Sequence, residues 1–132
     1  MSRVENFKHL IAWQKGMDLV EAVYRLSAGF PDYERFGLGI QIRRAAMSVP
    51  SNIDEGFGRS NRADFLRFLD IARGSANEVE TQILIAIRLR YAVHETARSA
   101  LDLSLEVQRI LAGLEASLRR SEKLSVRRQL SP

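Results

Sequence analysis

The sequence predicts an all-α fold, an antiparallel four-helix bundle with up-down-up-down topology. Four long segments carry apolar residues at three- and four-residue steps, which is the spacing of one face of a helix. No segment shows the alternation of apolar and polar residues that is typical of β-strands. The connections between the four segments are short, and short connections favour antiparallel neighbours. We assign residues 1–120 to the bundle and residues 121–132 to a basic, disordered tail.

The first predicted helix spans about residues 6–28. Glycine suits a C-terminal helix cap and proline cannot continue a helix, so Gly29 and Pro31 end this segment. Three- and four-residue steps define its apolar stripe, which consists of Leu10, Trp13, Met17, Val20 and Tyr24.

The second predicted helix spans about residues 33–57 and contains Pro50. Proline removes one backbone hydrogen bond and clashes with the preceding turn, so it predicts a kink or a break. We favour a kinked but continuous helix, because the apolar spacing continues past the proline to Ile53. The glycines at positions 56 and 58 then end the helix.

The third predicted helix spans about residues 62–90, with Ser60 or Asn61 as its N-terminal cap. Its first stripe consists of Phe65, Phe68, Ala72, Ala76, Val79, Ile83 and Ile87. Its second stripe consists of Ile71, Ser75, Glu78, Gln82, Ile85 and Leu89. A helix with two contact stripes meets partners on two sides, which indicates either oligomerisation or a central position in a bundle.

The fourth predicted helix spans about residues 95–118. Its stripe of mixed three- and four-residue spacing consists of Ala97, Leu101, Leu105, Gln108, Leu111, Leu114 and Leu118.

Polar residues also recur on one side of the second helix, beside its apolar stripe. They face the polar positions of the third helix in an antiparallel pair, so the sequence predicts a structural polar network between the two helices. A binding face is the alternative interpretation. The predicted network consists of Gln41, Ser48, Asn52, Glu55, Ser75, Glu78 and Gln82.

Several uncommon combinations in this region occur in order and in spacing as they do in a known family. They are Phe30-Pro31, Glu34, Gly37-Leu38, Gln41 to Ala46, Ser48 to Ile53, Glu55-Gly56, Gly58-Arg59, Gly74-Ser75, Glu78 and Glu80 to Gln82. The chain thereby resembles the four-helix-bundle family of 23S ribosomal RNA intervening-sequence proteins, over about residues 6–118. That family is similar to the accessory variability protein of diversity-generating retroelements. The resemblance implies a four-helix bundle, a homopentamer and binding of RNA or DNA, without catalysis.

The family commonly has alanine at the position of Asp54, and this extra acid weakens the attraction for phosphate locally. The tail after Leu118 lies outside the resemblance.

Composition limits the class of protein. The chain of 132 residues is 45% hydrophobic, which suits one domain and is too short for two of ordinary size. It contains no cysteine, so disulfides and thiol chemistry are excluded. No apolar run approaches the roughly 20 residues of a membrane span, and the N-terminus lacks the apolar segment of a signal peptide. We therefore expect a cytoplasmic protein with no membrane partner.

The net charge of +4 belongs mostly to the C-terminus. Residues 119–132 hold five basic residues and one acid, whereas residues 1–118 hold fifteen of each sign. Arginine outnumbers lysine by seventeen to three. Arginine favours bidentate contacts with phosphate, although a GC-rich coding sequence explains the same bias.

These basic residues supply the candidates for contact with nucleic acid. The candidates are Arg43, Arg44, Arg59, Arg62, Arg67, Arg119, Arg120, Lys123, Arg127 and Arg128. The structural alternative for those in the bundle is salt bridging with the neighbouring acids Asp54, Glu55, Asp64 and Asp70. The alternative for the tail is a solvated segment without function.

No pattern of catalytic or metal-binding residues is present. His9 and His94 each lack a second histidine or cysteine at ligand spacing. No Glu-x-x-His pair occurs, which argues against a di-iron bundle. Gly56-x-Gly58 follows a helix rather than a strand, so it is not a phosphate-binding loop. We expect no enzymatic activity, no cofactor and no metal.

Two hypotheses for function stay open. The first is a homo-oligomeric protein that binds RNA or DNA through phosphate contacts, which the arginine bias and the basic tail favour. The second is a protein-interaction scaffold whose grooves bind another polypeptide, which the neutrality of residues 1–118 favours.

Overall fold

In the computed structural model the backbone is described for residues 3–130 and the side chains for residues 9–121. This part of the chain contains four α-helices and no β-strand, and a single 3₁₀ turn at Asp32–Glu34 joins the first two helices. The helices are α1 (Arg3–Ser27), α2 (Leu38–Phe57), α3 (Arg62–Arg88) and α4 (His94–Leu130). The predicted all-α class is confirmed.

The four helices form a closed ring of neighbours. Helix α1 packs on α2, α2 on α3, α3 on α4, and α4 returns to α1. Among the described residues the backbones of the diagonal pairs α1–α3 and α2–α4 do not approach each other, since no Cα atoms of these pairs lie within 8 Å. Short connections between adjacent helices make consecutive helices antiparallel, so the up-down-up-down topology is also confirmed.

Helix α1 buries a different face from the predicted stripe. Its core face consists of Ala12, Gly16, Leu19, Ala22, Val23 and Leu26. Within the predicted stripe, Leu10, Met17 and Tyr24 are 49%, 41% and 43% exposed. Both sets recur at three- and four-residue steps, so spacing alone cannot select the buried set. The close approach of α2 at Gly16 selects it, because a Cβ placed there would lie 3.4 Å from Pro50.

Helix α2 runs unbroken through Pro50, as predicted. The proline ring is buried against α1 at Gly16. The helix begins at Leu38, later than predicted, and the Leu38 N–H donates to Glu34 Oε1 at 3.3 Å. At its other end Gly56 is buried against α3, so the two backbones are close at that corner.

Helix α3 begins after Asn61, whose side chain accepts a hydrogen bond from the Asp64 N–H at 2.8 Å. This is the expected N-terminal cap. The first predicted stripe of α3 supplies the core with Phe65, Ala72, Ala76, Val79 and Ile83. The second predicted stripe faces outward for most of its length.

Helix α4 extends to Leu130, beyond its predicted end at Leu118. The segment after Leu118 has no glycine or proline before Pro132 and is rich in arginine, leucine and other good helix formers. Residues 121–130 thus continue the helical backbone of α4 rather than forming the irregular segment expected from the sequence. Their separation from the bundle as a tail after residue 120 stays a prediction.

Candidate functional site

The structure brings together the centre of the predicted polar network. Ser48 Oγ on α2 and Ser75 Oγ on α3 lie 2.8 Å apart. The Asn52 amide donates to both the backbone oxygen and the Oγ of Ser48, each at 2.8 Å. The three side chains are half-buried in the groove between α2 and α3. Their hydrogen bonds satisfy one another, which fixes the register of the two helices.

The remaining members of the predicted network lie apart from this centre. Gln82 donates to Glu78 Oε1 at 3.4 Å along α3, and Glu78 is exposed. Gln82 Oε1 is buried and has no hydrogen-bond partner among the described residues. Gln41 is exposed near the start of α2, and Glu55 is exposed near its end.

Arg43 and Arg44 point to different surroundings, as adjacent helical positions must. Arg43 donates from Nε to Ser27 Oγ at 2.9 Å, and its guanidinium lies 5.4 Å from the centre of the Tyr24 ring. It is half-buried against α1, whereas Arg44 is exposed. Arg43 therefore holds α1 and α2 together, and Arg44 is the freely accessible member of the pair.

Arg59 and Arg67 share one aromatic ring at the corner between α2 and α3. Their guanidinium carbons lie 4.7 Å and 4.5 Å from the centre of the Phe68 ring. Arg59 also pairs with Glu55 at 2.6 Å, and Arg67 pairs with Asp64 at 3.9 Å. Both ion pairs are exposed, and exposed pairs contribute only about 0–1 kcal/mol. A phosphate can therefore compete with these carboxylates for the two arginines.

Arg62 lies at the same corner. A shallow cavity of about 140 Å³ opens there, lined by Arg59, Ser60, Asn61, Arg62 and Phe65.

The antiparallel register brings this corner level with the end of α4. Arg73 Nε on α3 lies 2.8 Å from Glu115 Oε2 on α4. Arg67 precedes Arg73 by as many residues as Ser121 follows Glu115, so Arg67 and Ser121 stand at the same height. Arg119 and Arg120, both exposed, therefore lie within one helical turn of the height of Arg67. We call the arginines that lie towards this end of the bundle the basic end: Arg59, Arg62, Arg67, Arg119 and Arg120.

The candidates Lys123, Arg127 and Arg128 have side chains outside the described residues. In the sequence they follow directly from the basic end.

Three polar contacts between α3 and α4 were missed from the sequence. Ser104 is fully buried and donates to the Ala76 backbone oxygen at 2.7 Å, while Gln108 donates to the half-buried Glu80 at 3.0 Å. Glu115 is only 1% exposed and faces Arg73. The signal was present, because Gln108 is a polar member of the predicted α4 stripe, and Ser104 and Glu115 lie at helical spacing from Leu111 and Leu118 of that stripe.

Burial lowers the pKa of His9, and the negative charge of Asp54 opposes this shift only in part. The His9 ring stacks on Phe57 with centroids 3.8 Å apart and planes 11° from parallel. Its Nε2 is buried without a hydrogen-bond partner among the described residues. The folded protein therefore prefers neutral His9.

This preference predicts a loss of stability in mild acid. The pKa of His9 is lower in the folded protein than its ordinary value of 6.5. Neutral His9 therefore contributes fully to the free energy of unfolding above pH 6.5, and this contribution disappears as the pH falls through the folded-state pKa. Urea unfolding between about pH 5 and pH 8 measures it. His9→Phe keeps the stacked ring and should flatten this part of the profile, whereas His94→Gln, at an exposed position, should not. Equal profiles for wild type and His9→Phe would contradict the assignment.

The described residues also bear on two further features, a metal-binding group and a membrane-spanning helix. Within residues 9–121, no group of three or more His, Cys, Asp or Glu residues could hold a metal ion. No helix within residues 3–130 is both long enough and apolar enough to cross a membrane.

Comparison with known proteins assigns the chain to a family. Residues 8–113 match the model for the 23S rRNA-intervening sequence protein family. The chain belongs to this family. The resemblance found in the sequence motifs is therefore confirmed. The basic residues from Arg119 onward lie past the matched region of the 23S rRNA-intervening sequence protein family.

A solved structure is similar to this member of the 23S rRNA-intervening sequence protein family. It is a Bacteroides thetaiotaomicron protein of unknown function from the S23 ribosomal protein family. The two chains are 27% identical with a TM-score of 0.76, and the match covers 83% of this chain and 98% of the other. None of the curated proteins matches the chain. The family and this relative support the bundle and leave its biochemical function to be argued from the site.

Proposed function

We propose that this chain is a non-enzymatic, homo-oligomeric protein that binds RNA or DNA through phosphate contacts at the basic end. The supporting observation is that Arg59, Arg62, Arg67, Arg119 and Arg120 all lie towards the same end of the bundle. Arginine donates bidentate hydrogen bonds to phosphate. Symmetric assembly would repeat the cluster in every copy and raise the avidity for a polyanion. A pentamer is the assembly that the sequence resemblance favours.

Such binding would be weakly dependent on base sequence and strongly dependent on salt. Contacts to phosphate position a protein on nucleic acid without reading its bases. Each phosphate neutralised by the protein releases counterions, so affinity falls steeply as the salt concentration rises.

The test is a salt titration of binding to a structured RNA and to a duplex DNA. Two variants remove the basic end, one by deletion of residues 119–132 and one by the substitutions Arg59→Gln, Arg62→Gln and Arg67→Gln. We expect each to bind more weakly and to reduce the slope of log affinity against log salt by about 1 for each phosphate that the variant no longer neutralises. Comparing the two variants shows how much of the affinity depends on residues 119–132 and how much depends on Arg59, Arg62 and Arg67.

A matched control removes the same charge from the opposite end of the bundle. Arg25, Arg88 and Arg90 are exposed at the ends of α1 and α3 that are remote from the basic end. Their replacement with glutamine should leave both affinity and salt slope unchanged. An equal loss in this control would show that charge alone attracts the nucleic acid. The absence of binding at low salt would overturn the proposal.

A protein-interaction scaffold is the second candidate function. It is favoured by the exposed apolar residues of α1, where Leu10, Met17 and Tyr24 are at least two-fifths accessible. A helical partner could cover them without any contribution from nucleic acid.

A further inference from the structure

A cavity of about 580 Å³ lies at the end of the bundle remote from the basic end. It opens between the last turns of α1, the connection from α3 to α4 and the first turns of α4. Small residues face one another across it, namely Ala22, Gly29, Ala92 and Ser99. Because these side chains are short, the space between the two helices stays open. Small-molecule sites in proteins typically have volumes of about 300–1,000 Å³.

The inner wall of the cavity is apolar. Ala22 and Leu26 of α1 line it, although they are only 6% and 8% exposed. Ala92 of the α3–α4 connection lines it as well and is half-buried. An apolar group placed against these side chains would leave water, which is favourable in proportion to the area covered.

Two arginines give the mouth of the cavity a positive charge. Arg25 and Arg90 both line it, and both are exposed. Arg25 has a single weak ion-pair partner, Glu21 at 4.0 Å, and Arg90 forms no ion pair with any described residue. No acidic residue is among the described side chains that line the cavity. A guanidinium group donates strong hydrogen bonds to a carboxylate, so the mouth favours an anion.

Arg90 occupies a backbone position that usually belongs to glycine. Its φ is 64°, and within the described residues it is the only non-glycine residue with positive φ. Its N–H donates to the Ile87 oxygen at 3.0 Å, and the Tyr91 N–H donates to the Ala86 oxygen at 2.8 Å. This pair of bonds ends α3 in a Schellman motif, where glycine avoids the steric penalty of a Cβ. An arginine held there against this penalty indicates a use for its side chain.

The connection that carries Arg90 is fixed by contacts on its other side. The Tyr91 ring lies 6.0 Å from the rings of Phe30 and Tyr33, measured between centroids. The Thr96 hydroxyl donates to the Val93 oxygen at 3.0 Å and accepts from the Val93 N–H at 3.3 Å. The cavity is therefore formed in advance, and a ligand would lose little affinity to the cost of ordering the chain.

We propose that this cavity binds a small organic acid with an apolar body and one carboxylate group. The apolar body would lie against Ala22 and Leu26, and the carboxylate would accept hydrogen bonds from Arg25 and Arg90. The inference goes beyond the proposed function, since it requires no nucleic acid and concerns the opposite end of the bundle.

A fluorescent probe displaced by octanoate tests the proposal. Anilinonaphthalene sulfonate combines an apolar body with one anionic group, and its sulfonate stands in for the carboxylate. We expect saturable binding of one probe molecule per chain and its displacement by octanoate. Octylammonium has the same apolar chain with the opposite charge, so it should displace the probe at much higher concentrations only.

Two variants locate the binding in the cavity. Arg90→Gly should weaken octanoate binding by about tenfold, because it removes a charged hydrogen-bond donor. It should also raise the midpoint of thermal unfolding, since glycine adopts the left-handed conformation without penalty. Weaker binding by a more stable protein would exclude unfolding as the cause. Ser99→Trp, at an exposed position of the lining, should obstruct the mouth and weaken binding as well.

Arg88→Gln is the matched control. It removes the same charge from an exposed position that does not line the cavity, and it should leave octanoate binding unchanged. Equal affinities of the wild type, Arg90→Gly and Ser99→Trp for octanoate would overturn the proposal. Equal displacement of the probe by octanoate and octylammonium would overturn it too, because the arginines would then play no part.

The structured RNA of the salt titration separates this inference from the proposed function. RNA should not displace the probe at low salt, since the basic end is remote from the cavity. Displacement by RNA would assign the cavity to the nucleic-acid surface and overturn the proposal. If the protein binds octanoate through Arg90 and binds no RNA or DNA, the proposed function fails and the organic-acid site stands.

Discussion

Replacing Arg73 with methionine is expected to lower the free energy of unfolding by about 3 kcal/mol at neutral pH. Glu115 is 1% exposed, and the Arg73 Nε lies 2.8 Å from its carboxylate. Removing one partner of a buried ion pair leaves an uncompensated charge, which typically costs about 3–5 kcal/mol. The Arg73 side chain is 37% exposed, so the cost should lie at the lower end of that range. Urea unfolding followed by circular dichroism measures it.

The pH dependence of this loss identifies its cause. Burial raises the pKa of Glu115, and the Arg73 guanidinium opposes the rise. Without Arg73 the pKa of Glu115 rises further. When the pKa of an acid is raised in the folded state, its contribution to the free energy of unfolding is complete below the unfolded-state pKa of 4.5. That contribution is lost as the pH rises through the folded-state pKa. The deficit of the variant should therefore be small near pH 4 and largest near pH 8.

Two further variants separate charge from packing. The double substitution Arg73→Met and Glu115→Leu removes both charges and should recover most of the lost stability. Arg25→Met breaks an exposed pair with Glu21 at 4.0 Å and should change the stability by less than about 1 kcal/mol. If Arg73→Met loses the same free energy of unfolding at acid and at alkaline pH, the loss comes from packing, and the electrostatic explanation is contradicted.

Replacing Gly56 with alanine is expected to destabilise the bundle by up to about 2 kcal/mol, although alanine is the better helix former. A Cβ at this position would lie 2.7 Å from the Phe68 Cβ, 3.2 Å from the Phe65 ring and 3.3 Å from the Phe65 backbone oxygen. Such crowding forces α2 and α3 apart, and overpacking costs about 1–3 kcal/mol. Because the added Cβ would lie only 2.7 Å from another Cβ, the cost should be near the upper end of this range. The propensity gain of about 1 kcal/mol then offsets only part of it.

Gly113 provides the matched control for this prediction. It lies inside α4, and a Cβ added there would meet no atom within 4 Å among its neighbours. Gly113→Ala should therefore gain the helix propensity of alanine without crowding and stabilise the protein by about 0.5–1 kcal/mol. Thermal unfolding of the two variants compares them directly. Stabilisation by both substitutions would contradict the prediction, since it would show that α2 and α3 move apart near Gly56 at little cost.

Local patterns were sufficient to predict the helices and several of their details. The unbroken helix through Pro50 follows from apolar spacing on both sides of the proline. The cap at Asn61 follows from the hydrogen-bonding capacity of its short side chain at the start of a helix. The contact between Ser48 and Ser75 involves two members of the polar network predicted from spacing. Each of these features depends on residues close in sequence or on a repeated spacing.

The sequence by itself determined the all-α class, the four helices and the family to which the chain belongs. Only the tertiary structure decided which stripe of α1 is buried, that Glu115 pairs with Arg73 across two helices, and that Arg67 stands level with Ser121 near the end of α4. The physical reason is that helical periodicity records which residues share a face of one helix. Burial and charge clustering depend on which other helix covers that face, and at what height.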